Sequence, residues 1–163
     1  MFKVYETSEL TVQLKNGRST LAKFMASATS CSARILACCC YCDRFGTVVR
    51  MVTEDAGKTA QALAAEGFLS TMDNVVLVRT QNSPAAAARI GISLAWANVQ
   101  VHYSYSSWDE ENQSAVVFKT ADDAGAARLL RAQVGRSASY APGSRGDRAK
   151  RSGVRLELQP LAA

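Results

Sequence analysis

Residues 10–15, LTVQLK, alternate apolar and polar, with Leu10, Val12 and Leu14 on one face. That is the pattern of a half-buried strand. Asn16-Gly17 breaks it, and Ser19 is placed to cap a helix over 19–29. Within that helix Leu21, Phe24, Met25 and Ala28 fall at i, i+3, i+4 and i+7, one apolar stripe for packing on a sheet. A strand of small apolar residues follows at 33–42, then the turn Asp43-Arg44-Phe45-Gly46 and a strand at 47–52. A second helix spans 56–66, with Ala60, Leu63 and Ala64 inward and Gly67 just past its end. Residues 68–72 form a fourth strand.

The series then starts again. A strand at 75–80 leads through Gln81-Asn82-Ser83 to Pro84, which suits the first turn of a helix over 85–97. That helix turns Ala87, Ile90, Leu94 and Ala97 inward. Residues 99–106 alternate, with Val99, Val101, Tyr103 and Tyr105 on one face and His102 opposite. The polar turn Asp109-Glu110-Glu111-Asn112, a strand at 115–119 and a helix over 121–134 ending at Gly135 complete the copy. A shift of 66 overlays Leu21 on Ala87, Phe24 on Ile90, Ala28 on Leu94 and Ile35 on Val101. Each copy reads as a βαββαβ unit, the ferredoxin-like split βαβ. A lone four-stranded sheet leaves edges exposed, so two units gain by pairing. The expected class is α+β: two ferredoxin-like units, 8–74 and 75–135, side by side in one extended antiparallel sheet with the helices on one face. The second copy lacks an evident last strand. Residues 154–159, where Val154, Leu156 and Leu158 alternate, are the candidate for it, reached through a Ser/Gly/Arg-rich segment at 136–153 that reads as a mobile loop.

Charge is unevenly placed. From residue 128 on, eight basic residues face only Asp147 and Glu157, so that end carries +6 and the body before it −1. Basic character therefore belongs to the tail, and the preferred reading is a solvated extension rather than a nucleic-acid surface. No apolar run reaches 18 residues, so no spanning helix is expected. MFKVYETSEL lacks the apolar stretch of a signal peptide, and a cytoplasmic protein is the expectation. Of five cysteines, Cys38, Cys39, Cys40 and Cys42 crowd one strand. Neighbours there point to opposite faces, so reduced thiols buried as small hydrophobes are the simpler account. With one histidine and no second thiol cluster, a zinc site is not expected. No nucleophile, base and orienting group stand together, so no catalytic residue, metal or cofactor is assigned.

The ordered set resembles the ACT-domain family, in tandem. The residues that carry the resemblance are LKNGRSTLAKFMASA, CSARILACCC and RFGTVVRMVTEDAGKTAQALAAEGF in the first copy, and VVLVRTQNSPAAAARIGISLAWANVQVHYSYSS and SAVVFKTADDAGAARLL in the second. The resemblance implies a non-enzymatic regulatory protein that binds an amino acid or similar metabolite, forms a homodimer and passes its output to a protein partner. It places ligand at the loop between first strand and first helix of each unit: Asn16, Gly17, Arg18, Ser19 and Thr20, then Asn82, Ser83, Pro84 and Ala85. Each loop would face a strand of the other unit. The family's loop glycine falls on Ser19 and Ala85 here, so the alternative is an interaction or dimerisation module with a degenerate ligand site.

Overall fold

The computed structural model of this chain describes residues 2–15, 18–30, 34–81, 84–108 and 113–139. The elements run β1 (Lys3–Leu14), α1 (Arg18–Ser30), β2 (Ile35–Asp43), β3 (Gly46–Thr53), α2 (Ala56–Ala65), β4 (Ser70–Gln81), α3 (Pro84–Trp96), β5 (Val101–Trp108), β6 (Gln113–Thr120) and α4 (Asp123–Ser139). The strands form one six-stranded sheet in the order β2-β3-β1-β4-β6-β5. Every pairing is antiparallel.

The centre of the sheet differs from the sequence pattern. β1 begins at Lys3, well before the alternation at 10–15, and residues 68–72 and 75–80 belong to one continuous strand. A shared ladder is the reason. Ser8–Val12 pairs with Ser70–Asn74, and Lys3–Thr7 pairs with Val75–Arg79. One long antiparallel pair thus serves both units, and Lys3–Thr7 lies where the second unit needs its fourth strand. Residues 154–159 lie outside the described residues. The helix α4 runs through Gly135, where the pattern ends it, to Ser139. A single interior glycine costs a helix only about 1 kcal/mol.

Side chains from β1 and β4 at even positions meet the helices. Leu10, Val12 and Leu14 pack with Phe24, Ala28 and Leu63. Val76 and Val78 pack with Ile90, Leu94 and Leu130. Since both clusters use the same parity of a bulge-free strand pair, all four helices cover one face. Met25, part of the expected stripe, stays largely outside it. The opposite face has a core of its own, made of Ala37, Val52, Val75, Leu77, Ala115 and Val117. The sheet curls around this face until its edge strands meet, and the Cys38 N–H donates to Ser107 Oγ across the seam at 3.1 Å.

The halves match in detail. A bulge interrupts β2–β3 between Ile35 and Ala37, and another interrupts β5–β6 between Val101 and Tyr103, 66 positions on. Asp55 Oδ1 accepts from the Lys58 N–H at the start of α2, and Asp122 Oδ1 accepts from the Gly125 N–H at the start of α4. The bulge at His102 corrects the strict alternation expected for residues 99–106. An extra residue switches the parity of the strand beyond it. Val99 consequently packs on the helix side, whereas Tyr105 packs in the opposite cluster. His102 is exposed, as a surface histidine should be.

Candidate functional site

The face away from the helices carries an unexpected charge. Glu9, on β1 among residues of the half-buried pattern, is fully buried. Alternation assigns it to solvent, but the curl of the sheet brings β5 over it. Arg50 Nη1 donates to Glu9 Oε2 at 2.8 Å, and the Tyr103 hydroxyl donates to the same oxygen. The Tyr105 hydroxyl donates to Glu9 Oε1 at 2.7 Å. Arg50 also donates to the hydroxyls of Thr11, Tyr41 and Tyr103. Its guanidinium lies 4.3 Å from the centre of the Tyr103 ring, close enough for a cation–π contact. Among the described residues no fully buried side-chain oxygen or nitrogen lacks a partner.

These contacts set the protonation states around Glu9. Burial raises the pKa of Tyr103 and of Tyr105, and their hydrogen bonds to Glu9 raise it further. Burial works against the Arg50 cation, but the bonds to Tyr41 and Glu9 outweigh it and raise its pKa. Neutral phenols and a fixed guanidinium around a carboxylate make a lock, with no proton poised for transfer near neutral pH. Cys39 faces the same carboxylate, and burial followed by the Glu9 charge pushes its thiol up to about 11.

At the other end of the same face lies a cleft of about 130 Å³. Leu36 and Ala37 of β2 form one wall, Ser107 and Trp108 of β5 the other, and Arg79 near the end of β4 closes the base, with Arg34 at the rim. At about 30 Å³ per water, this is the space of roughly four waters. Cofactors and nucleotides need several times more.

The expected ligand loops are divided by the described boundaries. Asn16, Gly17, Asn82 and Ser83 lie outside the described residues. Arg18, Ser19 and Thr20 form the first turn of α1, and Pro84 and Ala85 open α3. The fold does not bring these two sets together. β1 and β4 are antiparallel, with Lys3 opposite Arg79 and Val12 opposite Ser70. The loops after them therefore leave opposite ends of the strand pair, roughly 30–35 Å apart at about 3.3 Å per residue. The cleft lies beside the second loop in sequence, since Arg79 stands three residues before Asn82.

Cysteines depart from the expectation of burial. Cys38 and Cys39 are half-buried, while Cys40 and Cys42 are exposed because β2 is an edge strand. Alternate residues of a strand repeat at about 6.6 Å. Thiolates that share a zinc at about 2.3 Å must sit closer than that. Among the described residues no group of three or more His, Cys, Asp or Glu is placed to hold a metal ion. No described helix is long and apolar enough to cross a membrane.

No family model matches the sequence. No curated protein matches it either. Solved structures do resemble the fold. Protein BT0572 from Bacteroides thetaiotaomicron superposes with a TM-score of 0.70 at 21% identity, over 80% of this chain and 90% of that one. The ligand-free regulatory subunit of aspartate kinase from Thermus thermophilus gives 0.56 at 12% identity, over 80% and 95%. The Thermus flavus regulatory subunit gives 0.53 at 12%, over 82% and 96%. The chain has the tandem ACT fold. At these identities the likeness concerns the fold and leaves individual residues unmatched. None of the Glu9, Arg50 and Tyr103 lock is legible from a motif. The available signals were an arginine inside the apolar strand 47–52 and two tyrosines alternating on 99–106.

Proposed function

We propose that this chain is a non-catalytic regulatory module that binds an amino acid or related small metabolite. The observation that carries the reading is the cleft between β2 of one half and β4–β6 of the other. It occurs in a fold shared with the regulatory subunit of aspartate kinase. In this proposal residues 8–74 and 75–135 act as two units, and Asn16–Thr20 and Asn82–Ala85 contribute their helix N-termini to anionic ligand groups. Ligand binding favours one arrangement of the β2–β5 seam, and the output passes to a partner protein or a second copy of the chain in the cytoplasm.

One observation favours a second reading, an interaction module without a ligand. On the Glu9 side of the curled face, the buried polar groups already satisfy one another. A thermal-shift screen of the purified chain against the standard amino acids separates the two. A ligand bound only by the native state stabilises it by about 2.7 kcal/mol at one hundred times its dissociation constant. A saturable rise in Tm with one amino acid supports the metabolite reading. A flat response across the set refutes it in favour of the interaction module.

A further inference from the structure

The cleft has a twin. Its two halves are related by the pseudo-twofold that places the two bulges and the two helix caps. Ladder positions fix the equivalences. Ala37 opposite Val52 corresponds to Tyr103 opposite Lys119, and Tyr41 opposite Val48 corresponds to Ser107 opposite Ala115. By the same relation Arg50 corresponds to Val117. Three small or apolar side chains at the cleft therefore stand where the other half carries two tyrosines and an arginine. There the Arg50 guanidinium lies between the rings, 4.3 Å from the centre of Tyr103 and 5.9 Å from that of Tyr41. It also donates to both hydroxyls. The chain's own side chains fill that place.

We infer that the open cleft is the one ligand site of each chain, its twin being plugged by Arg50, Tyr41 and Tyr103, and that it takes an α-amino acid with a short aliphatic side chain. The inference rests on the regulatory reading and narrows it. Arg79 at the base presents the planar fork that grips a carboxylate through two parallel hydrogen bonds. β2 is an edge strand, and such strands present main-chain carbonyls outward, which are acceptors for an ammonium group. Leu36, Ala37 and Ala115 supply an apolar wall with room for a few carbons. About 130 Å³ excludes long or aromatic side chains.

The sequence has two tryptophans, Trp96 and Trp108. A Trp96→Phe variant leaves Trp108, on the cleft wall, as the sole reporter. It is titrated with L-alanine, L-serine, L-valine, L-phenylalanine, L-lysine and pyruvate by fluorescence, and stoichiometry is read by calorimetry on the unmodified chain. The expected result is one short aliphatic amino acid bound per chain, with a saturable change in Trp108 emission. Arg79→Gln and Ala37→Tyr should each weaken it at least tenfold, with circular dichroism unchanged for at least one of them. Two ligands per chain would overturn the inference, as would a preference for phenylalanine, lysine or pyruvate. So would affinity unaltered in a folded Arg79→Gln variant, and in those cases the regulatory reading survives with its site elsewhere. Binding of none of the amino acids, here or in the full thermal-shift screen, overturns both.

Discussion

Replacing Glu9 by glutamine tests the account of the curled face most directly. Glu9→Gln keeps the shape of the side chain and removes its charge. Three donors converge on the carboxylate: Arg50 at 2.8 Å, Tyr105 at 2.7 Å, and Tyr103. Hydrogen bonds to a charged group contribute about 1.5–3 kcal/mol each, but bonds sharing one acceptor do not add. Breaking a buried ion pair costs about 3–5 kcal/mol. The Glu9 side chain is wholly buried, while the Arg50 side chain keeps 19% of its exposure. Water can partly resolvate the orphaned cation, so the lower end applies, about 3 kcal/mol. Against a typical domain stability of about 5–15 kcal/mol, that loss is easily measured by urea denaturation at pH 7. A double-mutant cycle isolates the cause. Tyr105→Phe should cost about 1.5 kcal/mol in the parent and under about 0.5 kcal/mol beside Glu9→Gln. If Glu9→Gln costs less than about 1 kcal/mol, or if Tyr105→Phe costs the same in both backgrounds, the network is not holding β5 to β1.

Three further outcomes are expected of the same structure. The folded-state pKa values of Tyr103 and Tyr105 are raised, so both phenols keep protons that the unfolded chain releases above its ordinary value near 10. Stability should be unaffected by them below pH 10 and fall above it, at up to about 1.4 kcal/mol per pH unit for each phenol. Cys39, raised to about 11, adds a shallower loss from about pH 9 that Cys39→Ser removes. Urea titrations across that range of the parent and of Tyr105→Phe should differ in slope, and identical slopes would contradict the assignment. Leu63 and Leu130 are the equivalent, fully buried residues of α2 and α4. Alanine at either should cost about 2.7–5 kcal/mol and lower a single unfolding transition seen by calorimetry, whereas two separate transitions would show that the long β1–β4 pair does not couple the halves. Asp122→Ala removes the cap on the Gly125 N–H and should cost about 1 kcal/mol in the same assay. Asp122→Asn should recover most of it.

Much of the fold was legible because it depends on local pattern. The stripes containing Phe24 and Ala28, then Ile90 and Leu94, place α1 and α3 within a residue or two, and all four residues are buried. Pairing partners are a tertiary matter, and they are where the pattern failed. Nothing local in Lys3–Thr7 marks a strand until Val75–Arg79 is known to lie beside it. Alternation failed on β5 because one bulged residue, His102, reverses every assignment before it relative to those after. Glu9 was misplaced for a third reason. A half-buried strand assumes a flat sheet with water on its second face, and here the curl brings Tyr103 and Tyr105 across. Half of the expected ligand loops, Asn16, Gly17, Asn82 and Ser83, lies outside the described residues, and the cleft residues Ala37, Ser107 and Arg79 come together only through the meeting of the sheet edges.

The seam between β2 and β5 is the line along which this fold can respond to a ligand. The other five strand junctions are closed by backbone ladders. Across the seam the links involve side chains: the Cys38 N–H to Ser107, and the reach of Tyr103 and Tyr105 to Glu9. Those two groups of links sit at opposite ends, one beside the open cleft and one inside the plugged twin. The plugged end acts as a fixed hinge, because separating it strips a buried carboxylate of its partners. The cleft end is held by the neutral hydrogen bond to Ser107, worth about 1 kcal/mol. A ligand that bridges Arg79 to the edge of β2 favours the closed seam by whatever affinity it has for that state over the open one. Unequal ends on an otherwise doubled unit thus convert symmetry into a lever with one movable arm, and the long β1–β4 pair carries its position to both helical layers.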